Sequence, residues 1–394
     1  MTTAETTLAS GVSFALTPEQ RDLRALTREF AENEIRPRAA EYDERQTHPA
    51  DVIAKAHELG LMNPHIPTEL GGLGLPGFEG MLIGEELSWG CAGMAVSIVA
   101  NTLGAAPVLI AGSDEQKREW LPPLLESPIL CSFALTEPDA GSDAARVKTT
   151  AERHGDDYVL NGSKMFISNA GHAAWSVVFA STDRSRGHRG LSAFVVPMDA
   201  DGIVVEKHLD KMGQRATDTS AFALRDVVVR AANRLGQEGD GFKIAMQTLD
   251  FTRPGTAAGA VGVAQAAYEY SVEYAKGRVT FDVPIAMHQG VSFLIADMAA
   301  EIEAARLLTW QAAWMLDSGY GRKATLYSSF AKRFAADTAM KVTTDAVQVF
   351  GGYGYIKEYP VEKLMRDAKL FQIYEGTSQI QRLVIAKEIF LPRE

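Results

Sequence analysis

The sequence predicts an α+β protein with an N-terminal helical domain, a middle β-barrel or sandwich domain and a C-terminal four-helix bundle. Its 394 residues are long enough for two or three domains. Apolar residues have helical spacing in the first and last parts of the chain, whereas short β-type runs between turn residues fill the middle. These observations place the domains at 1–128, 129–240 and 241–394.

The N-terminal part predicts two helical blocks joined by a loop. Thr17 precedes Pro18, and proline is favoured at the first position of a helix. Helical spacing covers 18–63 and 78–126, and glycines and prolines at 60–77 predict the loop between the two blocks.

The run 87–113 carries no charge, which is the one membrane-like feature of the chain. A spanning helix needs about 20 strongly apolar residues. This run contains Asn101, Pro107 and four glycines. We therefore expect buried helices here and no membrane span.

Short β-type runs separated by turn residues predict the middle domain, at 130–135, 158–160, 165–167, 175–180, 191–196, 203–205 and 221–229. The segment 154–157 is a turn sequence. Asn161–Gly162 is a strong hairpin signal, so we expect a second turn there.

The C-terminal part predicts a bundle of helices, with members at 291–317, 323–350, 361–372 and 378–390. A further helix begins near Gly241, and Pro254 is expected to kink or split it. Ser378 is the expected N-cap of the last helix, with Gln381 at the capping-box position.

The composition limits the partners and the location. Lys and Arg number 39 against 50 Asp and Glu, a formal charge of −11 that argues against nucleic acid as a partner. Cys91 and Cys131 make no disulfide framework, and His208 and His288 are isolated, so no metal site is expected. The first basic residue is Arg21, so the start lacks a positive secretory leader, and we expect a cytoplasmic protein.

Two polar segments of the middle part are candidates for ligand contact. TEPDAGSD at 136–143 follows a strand and suits either a polar turn or the edge of a heteroaromatic ring. In NGSKMFISNAGHA at 161–173, Phe166 suits either stacking on a ring or filling the β core. Both alternatives stay open for each segment.

The C-terminal part has three further candidates. GGYGY at 351–355 exposes backbone N–H groups that suit a phosphate, although a helix-ending glycine explains it nearly as well. Glu375, in IYEGTSQ at 373–379, is either a general base with a raised pKa or a surface glutamate. Asp250 and Arg253 form either an i,i+3 ion pair or a polar pair that faces a ligand.

The ordered set of these motifs resembles the acyl-CoA dehydrogenase family, and most closely its medium- and short-chain straight-chain branches. The resemblance runs from about residue 17 to the C-terminus. The matching segments are TEPDAGSD, NGSKMFISN at 161–169, GQEGDGF at 236–242, TRPGTAAGAVGVAQAA at 252–267 and the stretch from Gln348 to Ala386.

The resemblance implies FAD as the cofactor. The positions that match contacts to the isoalloxazine ring are Phe133, Leu135, Thr136, Ser142, Phe166 and Ser168. Those that match a motif reaching the flavin of a neighbouring subunit are Arg278, Thr280 and Phe281. The positions that match contacts to the pyrophosphate and adenosine half are Gln289, Gln348, Gly351 and Gly352. Thr377 and Gln379 follow the residue that matches the catalytic glutamate and match further contacts to FAD.

Two departures from the family pattern bear on these contacts. Many relatives have Trp and Thr where this chain has Phe166 and Ser168. Phe166 is expected to keep the stacking on the flavin ring, and the expectation that Ser168 keeps the hydroxyl contact is weaker. Relatives usually have Gly and Lys where this chain has Asp282 and Val283, which affects the shape of that loop and not the fold.

The resemblance implies α,β-dehydrogenation of a saturated acyl thioester to the trans-2-enoyl thioester. Glu375 matches the base that removes the α-proton while flavin N5 accepts the β-hydride. Thr252 stands where branched-chain and long-chain relatives carry the base, and a threonine cannot serve. The positions that match contacts to the thioester and its carrier arm are Ser142, Asp250, Arg253 and Gly376.

The partners implied by the resemblance are an acyl-CoA or acyl-carrier thioester and an electron-transfer flavoprotein as acceptor. A homotetramer, a dimer of dimers, is also implied. Residues near 94–102 are expected to bound the acyl tail, and the absence of arginine there favours an apolar tail. The alternatives are a flavin-dependent oxidase or monooxygenase of the same fold and a non-catalytic helical scaffold.

Overall fold

The computed structural model describes residues 14–391, and its elements follow the predicted order of helices, strands and helices. The helices before the first strand are α1 Pro18–Phe30, α2 Ala39–Arg45, α3 Ala50–Glu58, α4 Gly77–Gly90, α5 Ala92–Ala111, α6 Asp114–Trp120 and α7 Pro123–Glu126. Thr17 caps α1, because its side chain accepts from the Gln20 N–H at 3.2 Å while the Gln20 side chain accepts from the Thr17 N–H at 3.0 Å. The predicted start of this helix is therefore confirmed.

The uncharged run forms the end of α4 and all of α5. Among the described residues, α5 is the one helix that is long and apolar enough to cross a membrane, and 61% of its most apolar window is buried inside the protein. It packs against α4, α8 and the first strand of the middle sheet. The predicted burial is confirmed, and these contacts are typical of a core helix.

The middle part is one mixed sheet. Its strands are β1 Leu130–Ala134, β2 Thr150–His154, β3 Asp157–Ser168, β4 Ala173–Ser181, β5 Leu191–Pro197, β6 Ile203–His208, β7 Thr219–Arg230 and β8 Arg234–Leu235. They are ordered β6-β7-β3-β2-β4-β5-β8, and β1 pairs in parallel with β4. Alternate residues of β4 reach apolar clusters on opposite faces, with Phe179 on the helical side and Val178 on the other.

The predicted hairpin turn at Asn161–Gly162 is wrong, because both residues lie inside β3. The two halves of β3 pair with β7 instead of with each other, and the register shifts at this point. Asn161 and Asp226 exchange hydrogen bonds across the shift, each 2.9 Å long. Gly162 is needed for a close approach, since a Cβ there would lie 2.7 Å from the Cα of Thr149.

The C-terminal part contains α8 Gly241–Gly277, α9 Gln289–Asp317, α10 Arg322–Phe350, α11 Val361–Phe371 and α12 Ser378–Phe390. A short ribbon of β9 Val279–Thr280 and β10 Val283–Pro284 connects α8 to α9. The long helices α8, α9 and α10 pack together, and α11 and α12 pack against α10. This arrangement confirms the predicted helical C-terminal part.

The structure excludes the split of the helix at Pro254, one of the two outcomes expected there, and the expected cap at Ser378. Pro254 does not split its helix, because α8 runs unbroken through it and packs along its length on α4, α9, α10 and α11. Such contacts outweigh a proline cost of about 3 kcal/mol. The cap of α12 is Thr377, whose side chain accepts from the Ile380 N–H at 3.0 Å. Ser378 is the first helical residue, and its hydroxyl donates to Asp337 at 2.9 Å.

The contact between α4 and α8 places the N-terminal helices against the C-terminal bundle. A Cβ on Gly262 would overlap the carbonyl oxygen of Glu85 and lie 2.9 Å from the backbone nitrogen of Trp89. The two helix backbones therefore touch at a position where only glycine fits.

Gly262→Ala is expected to lower the free energy of unfolding by about 1–3 kcal/mol, because the helices must move apart to admit the methyl group. Thermal unfolding of the purified variant measures the effect. Gly290→Ala is the matched control, since a Cβ there has no atom within 4 Å. A Gly262→Ala variant as stable as the control contradicts the close contact.

Candidate active site

A cavity of about 960 Å³ lies where the N-terminal helices, the middle sheet and the C-terminal bundle meet. Its apolar lining comes from α4, α5 and α8, and includes Ile98, Val99 and Leu103 of the uncharged run. Its polar residues include members of the segment after β1, of β3, of α8 and of the connection between α11 and α12. A cavity that is mostly apolar with a few convergent polar groups is typical of a ligand site.

Glu375 lies on the short connection between α11 and α12 and faces this cavity. Its backbone is left-handed, with φ 51°, and Gly376 follows with φ 87°. Non-glycine residues adopt this conformation rarely, and it is maintained only when surrounding contacts impose it. Glu375 is one of the predicted site residues, and it is half-buried where it lines the cavity.

Burial raises the pKa of Glu375 above the ordinary carboxyl value, while hydrogen bonds from Thr256 and Thr252 and the charges of Lys332 and Arg253 act against the rise. The Thr252 hydroxyl lies 3.1 Å from Oε2 of Glu375. A carboxylate with a raised pKa at the wall of a cavity suits a general base. The interpretation of Glu375 as a surface glutamate is therefore wrong.

Asp250 and Arg253 form the i,i+3 ion pair, and Asp250 also accepts from the Thr325 hydroxyl at 2.8 Å. Burial raises the pKa of Asp250, and the charge of Arg253 opposes the rise. Arg253 lines the cavity, and its buried Nε has no hydrogen-bond partner in the structure. Asp250 is not among the described residues that line the cavity, so it reaches a ligand there only through Arg253.

The residues matched to the flavin ring are brought together on the sheet side of the cavity. Those that line it are Phe133, Leu135, Thr136, Ser142, Phe166, Ser168 and Thr377. Phe166 is 62% exposed and its backbone is left-handed, with φ 60°, so it does not fill the β core. Its free ring is available for stacking, beside the hydroxyls of Thr136 and Ser168.

A buried ion pair holds this side of the cavity in place. Lys164 is fully buried, and its Nζ donates to Glu137 at 2.8 Å, to the Leu135 carbonyl at 3.3 Å and to the Phe179 carbonyl at 2.7 Å. Burial lowers the pKa of Lys164 to about 8, and Glu137 opposes the change. Sequence analysis missed this pair, although Glu137 stands in the TEPDAGSD motif.

A second cavity, of about 400 Å³, lies where α8 and α10 end. Arg278, Thr280, Gly351 and Gly352 line it, and a Cβ on either glycine would meet no atom within 4 Å. Gly351 has φ 60° and ends α10, so the helix-ending explanation of GGYGY holds and the backbone also stays accessible.

Four predicted cofactor residues line neither cavity within the described chain: Phe281, Gln289, Gln348 and Gln379. Phe281 is 90% exposed, and the three glutamines are also exposed, because their positions lie on outward faces of the bundle. One chain alone therefore does not bring them to the ring-binding side.

The residues present fit FAD. An accessible aromatic ring, several hydroxyls and a partnerless arginine nitrogen line the main cavity, while an arginine and open glycine backbone line the second. These groups suit a flat ring system and a phosphate, respectively. Among residues 14–391, no group of three His, Cys, Asp or Glu side chains is placed to hold a metal ion.

Comparison with known protein families gives matches along most of the chain. Residues 17–127 match the acyl-CoA dehydrogenase N-terminal domain, 132–227 its middle domain and 239–390 its C-terminal domain.

Relatives of known function support the same assignment. The short-chain specific acyl-CoA dehydrogenase of Rattus norvegicus mitochondria is 45% identical, over 92% of this chain and 88% of the relative. A probable medium-chain specific enzyme of Caenorhabditis briggsae is 43% identical, over 95% and 91%. The structure of butyryl-CoA dehydrogenase from Megasphaera elsdenii superposes with a TM-score of 0.93 at 42% identity, over 96% of this chain and 100% of that chain.

Glu375→Gln is expected to raise the unfolding temperature at about pH 8 by roughly 1–3 °C. The pKa of Glu375 is raised in the folded state, so its contribution to stability is present at low pH and lost as pH rises through that raised pKa. Glutamine carries no charge at about pH 8, so the substitution recovers the stability that the ionised carboxylate loses at that pH. Differential scanning fluorimetry at about pH 8 and pH 5.5 measures the change, which is smaller at the lower pH.

Glu58→Gln, an exposed change on α3, is the control and leaves the unfolding temperature unchanged at both pH values. A lower unfolding temperature for Glu375→Gln at pH 8 contradicts the burial of the charge.

Proposed function

Because the chain belongs to the acyl-CoA dehydrogenase family, we propose that Glu375 is the base of its reaction and that the two cavities hold its substrate and cofactor. The protein is an FAD-dependent oxidoreductase that dehydrogenates acyl thioesters. The observation that carries the proposal is the half-buried carboxylate of Glu375 at the wall of an apolar cavity, with its pKa raised by burial.

The proton-transfer step follows from the surroundings of Glu375. The α-proton of a thioester is weakly acidic, so a base must ionise near working pH and stay close to its target. Bound acyl thioester excludes water, which strengthens the raised pKa produced by burial. Thr252 and Thr256 hold the carboxylate from α8 while it accepts the proton.

The charge that develops on the thioester oxygen needs a hydrogen-bond donor. Among residues 14–391, the backbone N–H of Glu375 donates no hydrogen bond, so it is free for the carbonyl. Gly376 follows it in the same turn with φ 87°, and a Cβ there would lie 2.7 Å from the Gln381 side-chain nitrogen. FAD, when bound, accepts the hydride that leaves the β-carbon.

Residues of both cavities hold FAD in this proposal. The ring contacts are Phe133, Leu135, Thr136, Ser142, Phe166, Ser168 and Thr377, which line the main cavity, and Gln379 follows them as a further contact to FAD. Arg278, Thr280 and Phe281 reach the flavin of a neighbouring subunit. The contacts to the pyrophosphate and adenosine half are Gln289, Gln348, Gly351 and Gly352. Arg253, with Asp250 as its ion-pair partner, contacts the carrier arm near Ser142.

The substrate is a saturated straight-chain acyl thioester with an apolar tail. The tail lies along α5, where Val96, Val99 and Leu103 line the cavity and no charged residue occurs. A buried unpaired charge on the tail would be costly there. The carrier whose arm lies beside Arg253 is either CoA or an acyl carrier protein. Measuring flavin reduction by the thioester of each carrier distinguishes them.

We propose a homotetramer, a dimer of dimers, located in the cytoplasm and reoxidised by an electron-transfer flavoprotein. Exposed apolar side chains near the second cavity support assembly, since Phe281, Met287 and Phe293 are 90%, 72% and 61% exposed. Two free buried cysteines suit a reducing compartment. A monomeric mass in light scattering contradicts the assembly.

The domain boundaries that we propose are 1–128, 129–240 and 241–394.

The relatives do not favour the flavin-dependent oxidase or monooxygenase alternative. Rapid reoxidation of the substrate-reduced enzyme by air, without an electron-transfer flavoprotein, is the result that supports it.

Glu375→Gln is expected to bind FAD normally and to remain yellow when butyryl-CoA is added without oxygen, because no base removes the α-proton. The absorbance near the visible flavin maximum measures reduction. Glu58→Gln is bleached as fast as the parent enzyme, because that residue is exposed on α3. Normal bleaching of Glu375→Gln would falsify the assignment of the base.

Thr252→Val is expected to lower kcat/KM at about pH 6 by roughly 3- to 10-fold and to leave it within twofold at about pH 9. The hydroxyl that stabilises the ionised carboxylate is lost, so the pKa of Glu375 rises further and less base is ionised at low pH. The pH dependence of kcat/KM measures this.

Thr309→Val, which removes a buried hydroxyl that donates to the Ala305 carbonyl at 2.8 Å, is the matched control for Thr252→Val. A uniform loss of activity at all pH values contradicts the role given to the Thr252 hydroxyl.

A further inference from the structure

Lys332 is a fully buried lysine on α10, behind the turn that carries Glu375. Its Nζ donates to two backbone carbonyls, of Phe371 and of Gly376, each at 2.7 Å. Burying an ammonium is costly unless it makes good hydrogen bonds. A lysine kept at this position therefore indicates a role that a smaller apolar residue would not provide.

The two carbonyls lie at the two ends of the segment 371–376, which carries Glu375 and is called the catalytic turn below. Phe371 is the last residue of α11, so its carbonyl has no partner within that helix and attracts a cation. Gly376 is the left-handed residue directly after Glu375. One ammonium group thus connects the end of α11 to the residue that follows the base, and Glu375 lies between these two anchors.

Asp337, one and a half turns along α10, binds the same connection through donors. It accepts from Gln372 and Ser378 at 2.9 Å each and from Arg382 at 2.7 Å. Gln381 adds hydrogen bonds to the carbonyls of Glu375 and Gly376, at 3.2 and 3.1 Å. The left-handed backbone at Glu375 is therefore imposed from behind by α10 and α12.

The charged groups around Lys332 come from three directions. Glu375 faces it from the turn, Arg253 from α8 and Asp337 from its own helix. Arg253 is already paired with Asp250, and Asp337 with Arg382. Glu375 has no ion-pair partner within 4 Å among the described residues, so Lys332 and Arg253 are the cations that act on it.

We propose that Lys332 is a positioning residue for proton abstraction: its ammonium ties the carbonyls of Phe371 and Gly376 so that the Glu375 carboxylate is held at the cavity, and its charge favours the ionised base. This role rests on the proposed function of Glu375. Burial lowers the pKa of Lys332 to about 8, while the charge of Glu375 opposes the change, so the ammonium form predominates below that pH.

The test uses the FAD-loaded holoenzyme of Lys332→Met with butyryl-CoA as the probe. The expected result is a fall in kcat of about 10- to 100-fold with KM within about threefold, because a misplaced base costs rate more than binding. The rise of kcat/KM with pH also moves to higher pH, because the nearby positive charge is lost. FAD content and the spectrum of the oxidised flavin stay unchanged.

Lys341→Met is the matched control. It removes a lysine from the same helix whose ammonium pairs with Glu301 at 3.0 Å and Asp345 at 3.4 Å, away from the turn. It is expected to retain the kcat and the pH profile of the parent enzyme.

Lys332→Gln separates the effect of the hydrogen bonds to the two carbonyls from the effect of the positive charge. Its amide can still donate to one carbonyl, so kcat recovers at least threefold relative to Lys332→Met, while the pH profile keeps the displaced position. A folded Lys332→Met or Lys332→Gln enzyme with the parent kcat and pH profile overturns the proposal. Failure of both variants to fold and bind FAD also overturns it, in favour of a purely structural role.

The outcome for Lys332 is distinguishable from failure of the proposed function. Normal bleaching of Glu375→Gln by butyryl-CoA shows that Glu375 is not the base, whatever the result for Lys332. If Glu375→Gln stays yellow and Lys332→Met has the activity of the parent enzyme, Glu375 remains the base and only the proposed role of Lys332 is rejected.

Discussion

The structure depends on keeping one carboxylate, that of Glu375, half-buried at the wall of an apolar cavity. Burial alone favours the neutral acid, so the protein surrounds the group with two threonine hydroxyls and two cations that favour the anion. Burial thus raises the pKa of the base, and these four groups limit the rise. A raised pKa serves proton abstraction only if the base also stays fixed in position, so the backbone at Glu375 matters as much as its side chain.

Each part of the chain contributes one wall of this site. The glycine contact between α4 and α8 allows two helices to approach closely and so places the apolar N-terminal helices over the catalytic turn. The buried pair of Glu137 and Lys164 fixes the strand and turn on the opposite wall. Helix α10 closes the site from behind through Lys332 and Asp337. The cavity therefore exists only when all three parts are folded together.

Much of the fold and part of the site could be predicted from the sequence, where the signal is local. Thr17 before Pro18 marks a helix start that depends on a few neighbouring residues, and the structure confirms it. Asn161–Gly162 has the local signal of a turn, but pairing of β3 with β7 keeps it extended. Pro254 has the local signal of a helix break, but contacts with four other helices keep α8 intact. In both cases tertiary contacts outweighed a local preference.

The sequence by itself determined the order of helices and strands, the family resemblance and the identity of Glu375 as the candidate base, because these depend on residue types and their spacing. Only the tertiary structure decided that Glu375 faces the cavity, that Phe166 is exposed to it and that Lys332 and Thr252 contact the turn that carries Glu375. The Thr252 and Glu375 side chains are 123 positions apart in the chain. Distances and burial at such separations follow from packing between elements, which no local pattern records.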